Sequence, residues 1–203
     1  DPFVITVGAM DDKGTLNIDD DEVASFSAYG ITEDGFRKPD LVAPGRNIIS
    51  LLADTSASLY IDHPDFRVDD YYFRMSGTSM SAPAVSGAVA LLLQDEPNLT
   101  PAQVKYRLKA TANTSWMCTR DALSCAVPLD DITFGAGYLD IYAGVHGTTT
   151  ETSNTGVAIS PILTAGSDPI TSSVQWGSVQ WGSVQWGSVQ WGSVQWGSDY
   201  WGP

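Results

Sequence analysis

The 203-residue sequence is poor in basic residues, and this shortage excludes one class of partner. Ten Lys and Arg stand against 24 Asp and Glu, which gives a formal net charge of -14. Nucleic acids are bound through concentrated Lys and Arg side chains, so the composition argues against a nucleic-acid partner. Long apolar runs are also lacking. None approaches the roughly 18 residues of a membrane span, so we expect no membrane-spanning segment.

Cysteine is scarce as well, which limits the redox and metal chemistry open to the chain. Cys118 and Cys125 are its two cysteines, with six residues between them in a polar stretch. They are too few for a four-ligand zinc site, and their spacing is not that of a Cys-x-x-Cys redox motif. A local disulfide in an exported protein is the favoured interpretation, and two free thiols are the alternative.

What the chain does contain falls into three regions of different composition. Residues 1–146 mix short apolar runs with Gly and Pro, as a globular α/β region does. Residues 147–173 are rich in Thr, Ser and Gly and are predicted to be a flexible linker. Residues 174–203 carry the pentapeptide Val-Gln-Trp-Gly-Ser five times in register, and six of the seven tryptophans lie there.

The pentapeptide repeat does not predict a regular structure. With a period of five, successive Trp side chains do not line one continuous face of a strand or of a helix. Two interpretations stay open: a mobile aromatic array that binds a polymer or another protein by stacking, and a ribbon that docks on the folded region.

Short apolar runs in the first region predict strands. Phe3–Val7 is predicted to be a buried strand, and Leu41–Ala43 and Asn47–Leu51 are predicted to be extended on either side of a Pro44–Gly45 turn. The acidic stretch 11–22 is predicted to be a surface loop or hairpin connection, and 54–70 a polar surface excursion.

Two helices have clearer signals. One runs through Ser79–Gln94, begins only a few residues before Pro83, and is apolar all round, so we expect it to be buried on every side. The next has Thr100 as N-cap, Pro101 in the first turn and Gln103 three residues after the cap, the pattern of a capping box. The inward stripe of this second helix is predicted to be Val104 and Leu108, and its solvated face Lys105, Arg107 and Lys109.

The segment 75–83, Met-Ser-Gly-Thr-Ser-Met-Ser-Ala-Pro, is the stretch with the clearest chemical meaning. It is a turn of small residues that delivers Ser79 to the N-terminus of a helix. Unpaired N–H groups and the helix dipole favour negative charge there, which is what acyl transfer to a hydroxyl requires. The alternative is that these hydroxyls only cap the helix.

Gly77–Pro83 resembles the nucleophile motif of the subtilisin-like serine proteases, the subtilases. Further segments resemble the family in its order along the chain: Val4–Ala9, Ala24–Gly30, Lys38–Gly45, Asn98–Val104 and Gly135–Asp140. The resemblance covers residues 1 to about 146. It implies a three-layer α/β/α fold with a mostly parallel sheet, of which this chain holds the later part, incomplete at the N-terminal side.

The resemblance also implies roles for individual residues. Ser79 would be the nucleophile of a serine endopeptidase, and its backbone N–H would be one donor of the oxyanion hole, with weaker support from the Thr78 hydroxyl. The Pro44–Gly45 turn would shape the protein beneath the site. The substrate would be a polypeptide, no cofactor would be required, and the enzyme would be secreted or at the cell surface.

Three motifs of the family are not found before Ser79: those of the catalytic Asp, the His base and the oxyanion Asn. The resemblance therefore predicts them in an upstream segment, the missing N-terminal half of the catalytic domain, without which this chain would be inactive. His63, in a polar loop, is expected to be a surface residue. His146 follows the nucleophile at a domain edge and is not expected to substitute for the base. The alternative function is an inactive binding module that acts through the Trp-rich repeat.

The acidic runs Asp19–Glu22 and Asp69–Asp70 are candidates for the calcium ions that many subtilases bind. Calcium takes six to eight oxygens from a folded cage, and neither run has the spacing of an EF-hand loop. Solvated acidic loops are therefore the favoured interpretation.

Overall fold

A computed structural model describes residues 2–32, 35–115 and 132–156. The chain divides into two units. The larger one comprises Ile5–Thr32 and Arg37–Ser153, and the smaller one comprises Asp1–Val4, Glu33–Phe36 and Asn154–Pro203. The strands, the helices and the segment 75–83 belong to the larger unit. Cys118, Cys125 and the Trp-rich repeat lie outside the described residues, so the disulfide and the repeat tail stay predictions.

The described residues form seven strands, four α-helices and two short 3-10 turns. The strands are β1 (Val7–Asp11), β2 (Glu22–Val23), β3 (Gly30–Ile31), β4 (Arg37–Lys38), β5 (Leu41–Pro44), β6 (Ile48–Leu51) and β7 (Tyr72–Met75). The helices are α1 (Ser58–Asp62), α2 (Thr78–Asp95), α3 (Pro101–Ala110) and α4 (Ile141–His146), and the 3-10 turns are Ile18–Asp20 and Pro64–Phe66. None of these described helices is both long and apolar enough to cross a membrane.

The central sheet is mixed. Strand β1 lies between β2, which is antiparallel to it, and β5, which is parallel to it with Val7 opposite Leu41. The segment after residue 136 continues the sheet beyond β5, since Val42 N–H donates to Gly137 O at 2.9 Å and Leu139 N–H to Val42 O at 2.8 Å. Two smaller sheets pair β3 with β4 and β6 with β7, both antiparallel.

The main hydrophobic core lies between this sheet and the helices. Helix α2 packs on β1 and β5, and apolar side chains of β5, α2 and α3 are buried together. They are Leu41, Ala43, Val85, Ala88, Leu92, Val104 and Leu108. Burial of each large side chain stabilises the fold by about 1.5–3 kcal/mol, so this cluster anchors both helices to the sheet.

Several local predictions are confirmed. Strands β5 and β6 occupy the predicted runs, and the stretch 11–22 forms the hairpin connection between β1 and β2. The capping box is present: Gln103 N–H donates to Thr100 Oγ1 at 3.3 Å, and Thr100 N–H donates to Gln103 Oε1 at 2.9 Å. Val104 and Leu108 are buried as predicted.

The predicted strand Phe3–Val7 is wrong in position. The ladder begins at Val7 and runs to Asp11, whereas Phe3 and Val4 are 47% and 56% exposed. Thr6, the residue before the ladder, is only partly paired: its C=O accepts Asp40 N–H at 2.8 Å, whereas its N–H donates to the Asp40 carboxylate at 2.8 Å.

The prediction that helix α2 is buried on all sides is also wrong. The helix begins at Thr78, as the position of Pro83 indicated, but its buried residues Ser81, Val85, Ala88 and Leu92 follow a spacing of three or four. Leu91, on another face, is 48% exposed. Helix α2 therefore contacts the described part of the chain through one face.

The prediction that α3 carries a solvated cationic face fails for two of its three cations. Lys105 is 3% exposed and Arg107 is fully buried. Arg107 forms an ion pair with Glu96 at the end of α2, and its Nη2 donates to Thr149 O at 2.7 Å. Lys105 lies 2.9 Å from an Asp40 carboxylate oxygen. Each buried cation has an oxygen partner from a distant part of the sequence, which makes its burial tolerable.

Asp40 is the centre of this charge cluster. Its carboxylate accepts hydrogen bonds from Thr6 N–H at 2.8 Å and Lys38 Nζ at 2.7 Å, in addition to the pair with Lys105, and Lys109 Nζ lies 3.8 Å away. Burial alone would raise the pKa of Asp40, but the bonds from Lys38, Thr6 and Lys105 outweigh it and lower the pKa. Asp40 is therefore ionised at neutral pH.

The first residues of the predicted linker lie along α3. Arg107 Nη2 binds Thr149 O, Gln103 Nε2 donates to Thr150 O at 3.1 Å, and Ser153 N–H donates to Ala102 O at 3.0 Å. Composition gave no sign of these contacts, because in each of the three the linker residue contributes a backbone carbonyl or N–H group. The linker beyond residue 156 lies outside the described residues and stays a prediction.

Replacing Asp40 with Asn should lower the free energy of unfolding by about 3 kcal/mol, because the buried Lys105 ammonium loses its counter-charge. Urea unfolding at pH 7 measures the change. Lys109→Ala is the control, since Lys109 is 33% exposed and 3.8 Å from Asp40, and its loss should stay below about 1 kcal/mol. Equal effects of the two variants would contradict the assignment of Asp40 and Lys105 as the critical pair.

The same ion pair predicts a dependence on pH. Because the pKa of folded Asp40 lies below its ordinary value of 3.8, its contribution is complete above that pH and is lost as the pH falls toward the folded pKa. Wild-type stability should therefore fall more steeply than that of Asp40→Asn on acidification below about pH 4. Thermal unfolding of both proteins across this range measures it, and parallel curves would refute it.

Candidate active site

The candidate site begins where strand β7 ends. Two residues, Ser76 and Gly77, separate Met75 from the first residue of α2, Thr78. Gly77 has φ 152° and ψ 159°, a conformation that side-chain-bearing residues rarely adopt. The glycine of the motif is thus required by the sharp entry of the chain into α2.

Ser79 is the second residue of α2 and is exposed. Within the described part of the chain, no residue forms a hydrogen bond with its hydroxyl. Its backbone N–H lies in the first helical turn, where no intrahelical acceptor exists, while the next N–H, that of Met80, donates to Gly77 O at 2.9 Å. An accessible hydroxyl and an unused N–H donor therefore belong to the same residue. Thr78 precedes it and is half-buried.

The Pro44–Gly45 turn lies directly beneath the start of α2, as the resemblance implied. Gly45 N–H donates to Met10 O at 3.0 Å, and Gly77 N–H donates to Gly45 O at 2.8 Å. A Cβ atom at Gly45 would lie 2.3 Å from Ser81 Oγ and 2.6 Å from Ala9 Cβ. The helix start is in direct contact with the end of β5, and no side chain fits between them.

Ser81 is a feature that sequence reasoning missed. Its side chain is fully buried, and its Oγ has no hydrogen-bond partner among residues 2–32, 35–115 and 132–156. A buried hydroxyl without a partner costs free energy. No signal in the sequence separates this serine from the exposed Ser79 two residues earlier, because the difference arises from the contact with Gly45.

An apolar groove of about 190 Å³ lies next to the first turn of helix α2. Its wall includes Met80, the residue after Ser79, and Met75, together with side chains from β6, β7 and the segment 52–59. They are Ile48, Ser50, Leu51, Leu52, Ala53, Ala57, Leu59 and Phe73. The groove could not be predicted from the sequence, because part of its wall is α1, which lies in the polar stretch 54–70.

The structure does not bring either histidine to Ser79. His63 is half-buried between α1 and the 3-10 turn Pro64–Phe66, with its ring 6.3 Å from that of Phe66. His146 is exposed at the end of α4, with its ring 4.3 Å from that of Tyr142. Ser79 thus has no histidine partner within the described ranges.

The acidic runs form turns in the structure. Asp19 and Asp20 lie in the 3-10 turn after Asn17, and Asp69 Oδ1 accepts the N–H groups of Tyr71 and Tyr72 at 2.7 and 2.8 Å. In the part of the chain that the structure describes, no group of three or more His, Cys, Asp or Glu side chains is placed to hold a metal ion. Calcium binding stays a prediction without a located site.

The turn that presents Ser79, the α/β fold and the motifs along the chain define a subtilisin-like domain. The model of the subtilase family, Peptidase S8, matches residues 2–140, and the chain therefore belongs to this family. Among curated proteins it is similar to the serine protease AprX of Bacillus subtilis (strain 168), 55% identical over 108 residues, which are 52% of this chain and 24% of AprX. Subtilisin-like protease SBT1.2 of Arabidopsis thaliana is 42% identical over 94 residues, which are 45% of this chain and 12% of that protein.

A solved structure supports the fold. The larger part of the chain, 72%, superimposes on fervidolysin from Fervidobacterium pennivorans, a keratinolytic enzyme related to subtilisin, with a TM-score of 0.53 and 30% identity. This match covers 19% of fervidolysin. The predicted α/β fold of the subtilisin type is confirmed. The chain spans about a quarter or less of each of these three proteins.

Replacing Ser81 with Ala should raise the free energy of unfolding by roughly 1 kcal/mol, because it removes a buried hydroxyl that has no partner. Ser86→Ala is the matched control on the same helix, since the Ser86 hydroxyl is exposed and donates to Ala82 O at 3.1 Å. The difference between the two variants in urea unfolding isolates the burial effect from helix propensity. A variant of Ser81 that is clearly less stable than the control would show that the hydroxyl has a partner.

Proposed function

We propose that this subtilase chain carries the nucleophile of a serine endopeptidase, and that the nucleophile is Ser79. The observation that supports this is the position of Ser79, an accessible hydroxyl with an unengaged backbone N–H at the start of an 18-residue helix. The Ser79 hydroxyl attacks the peptide carbonyl carbon and forms a tetrahedral intermediate with a negatively charged oxygen. The N–H of Ser79 donates to this oxygen, and the positive end of the α2 dipole adds to its stabilisation.

Collapse of the intermediate breaks the peptide bond. The amine product leaves with a proton, and the acyl group stays on Ser79 as an ester. Water then attacks the ester and releases the second peptide with the free hydroxyl. No redox or organic cofactor is needed, and the substrate is a polypeptide. The Thr78 hydroxyl, one residue before the nucleophile, is a weaker candidate for a second donor to the oxyanion.

A base is required to remove the proton of the Ser79 hydroxyl, since a serine hydroxyl is a weak nucleophile by itself. Because no described histidine contacts Ser79, we propose that the His base, the Asp that orients it and the oxyanion Asn come from a segment outside residues 1–203. That segment would complete the catalytic domain, and this chain alone would not hydrolyse peptides. We expect the complete enzyme to be secreted or at the cell surface.

A second candidate function follows from the same missing base and from the six tryptophans of residues 174–203. In that case the chain is an inactive binding module, with the subtilase region as a scaffold and the repeat as the binding segment. The sequence encoded directly before residue 1 discriminates between the two functions. Motifs for the Asp, the His and the oxyanion Asn favour the protease, and a translation start there favours the binding module.

Replacing Ser79 with Ala should abolish labelling by a fluorophosphonate and lower kcat on a peptide substrate by a factor on the order of a million. The reason is that the acyl-enzyme has no other hydroxyl on which to form. The experiment uses the chain joined to the sequence that is encoded before it, with Ser86→Ala as a control that should keep full labelling.

Mass spectrometry of the labelled wild-type protein identifies the modified residue. Labelling that survives in Ser79→Ala, or a label found on another serine, would disprove the assignment. Residues 1–203 alone should show neither labelling nor turnover, and robust turnover by them would show that the base lies within this chain.

A further inference from the structure

The turn before the candidate nucleophile is attached to a second turn at two adjacent residues. Asn47 N–H donates to Ser76 Oγ at 2.9 Å, across 29 positions of sequence. The neighbouring Gly77 N–H donates to Gly45 O at 2.8 Å. The turn at Ser76 and Gly77 therefore accepts one hydrogen bond from the turn at residues 45–47 and donates another to it. The two bonds together fix both the distance between the turns and their relative orientation.

The second turn is itself held by the sheet. Gly45 N–H donates to Met10 O of β1 at 3.0 Å, and Gly45 directly follows the buried strand β5. Asn47 has φ 55°, a left-handed conformation that Asn tolerates better than most residues, and its N–H is the group that donates to Ser76. The hydroxyl of Ser76 is thus connected to the rigid centre of the fold through a short chain of backbone contacts.

We propose that Ser76 is a positioning residue for the nucleophile Ser79, an inference that rests on the proposed function. Its hydroxyl does not touch the reacting atoms. It accepts the Asn47 N–H and so holds the turn from which α2 begins, three residues before Ser79. Catalytic groups must be held within about 0.5 Å of their productive position, and this hydrogen bond is one of the two that restrain the turn.

Because Ser76 makes its hydrogen bond at an exposed site, loss of its hydroxyl is expected to affect the position of Ser79 more than the stability of the fold. The bond with Asn47 N–H lies at an exposed site, so water can replace the hydroxyl as acceptor when the side chain is shortened. The free energy of unfolding then changes little. Water does not tie the two turns together, so the position of Ser79 relaxes even though the fold is kept.

The test compares Ser76→Ala, which removes the acceptor, with Ser76→Thr, which keeps a hydroxyl on the same carbon. Ser86→Ala is the control for loss of an exposed hydroxyl elsewhere on the α2 region. All variants are made in the chain joined to its preceding encoded sequence. The measurements are kcat and KM on a peptide substrate, the second-order rate of fluorophosphonate inactivation, and the thermal unfolding midpoint.

Ser76→Ala should lower both kcat and the inactivation rate about tenfold, because a misplacement of about 1 Å costs up to a hundredfold. KM and the unfolding midpoint should stay at the wild-type values. Ser76→Thr should recover most of the rate, and Ser86→Ala should behave as wild type. The shape of the pH profile should not change, because Ser76 takes no part in proton transfer.

Three results would overturn the inference: an unchanged inactivation rate in Ser76→Ala, an equal loss in Ser76→Ala and Ser76→Thr, or a change in KM at unchanged kcat. The last would mean that Ser76 contacts the substrate. If wild-type Ser79 is not labelled at all, the proposed function fails and this inference fails with it. If Ser79 is labelled in the wild type and the rate of labelling is the same in Ser76→Ala, only the positioning role is refuted.

Discussion

The buried carboxylate of Asp40 is the constraint on which the described fold depends. Asp40 directly precedes β5. Its carboxylate accepts hydrogen bonds from Lys38 of β4 and from the N–H of Thr6, the residue before β1, and forms an ion pair with Lys105 of α3. Its own backbone continues the sheet in both directions, since Asp40 N–H donates to Thr6 O and Asp40 O accepts from Ala136 N–H. A single residue therefore sets the register of two strands and the depth at which a helix packs.

Strand β5 connects this charge cluster to the candidate site. From Asp40 the chain runs through buried Leu41, Val42 and Ala43 to the Pro44–Gly45 turn, on which the start of α2 is seated. At about 3.3 Å per residue, the two ends of this strand are roughly 15 Å apart, and the side chains between them are apolar and buried. The charges of the Asp40 cluster are thus kept away from the helix terminus where a negative oxygen would develop.

Local signals in the sequence were sufficient wherever the structure is decided by neighbours along the chain. The capping box at Thr100 and Gln103, the start of α2 before Pro83 and the strand at Leu41–Ala43 all depend on contacts within a few residues. Ser79 was indicated by a motif whose glycine is required by backbone geometry at Gly77. The burial of Lys105 and Arg107 was mispredicted because it depends on Asp40, Glu96 and Thr149, which lie 11 to 65 positions from the cation that each contacts. The orphan hydroxyl of Ser81 and the apolar groove likewise exist only after distant segments have packed.

The close contact beneath α2 has a consequence for how this site can change over time. Ala9, Gly45 and Ser81 come from three separate segments and meet where a Cβ on Gly45 would overlap the side chains of the other two. A mutation that adds volume at position 45 is compatible with the native packing only if positions 9 and 81 have already become smaller. The effect of a substitution at one of these three positions therefore depends on the residues at the other two, so the order of substitutions matters. A single substitution that adds a side chain at position 45 is not neutral.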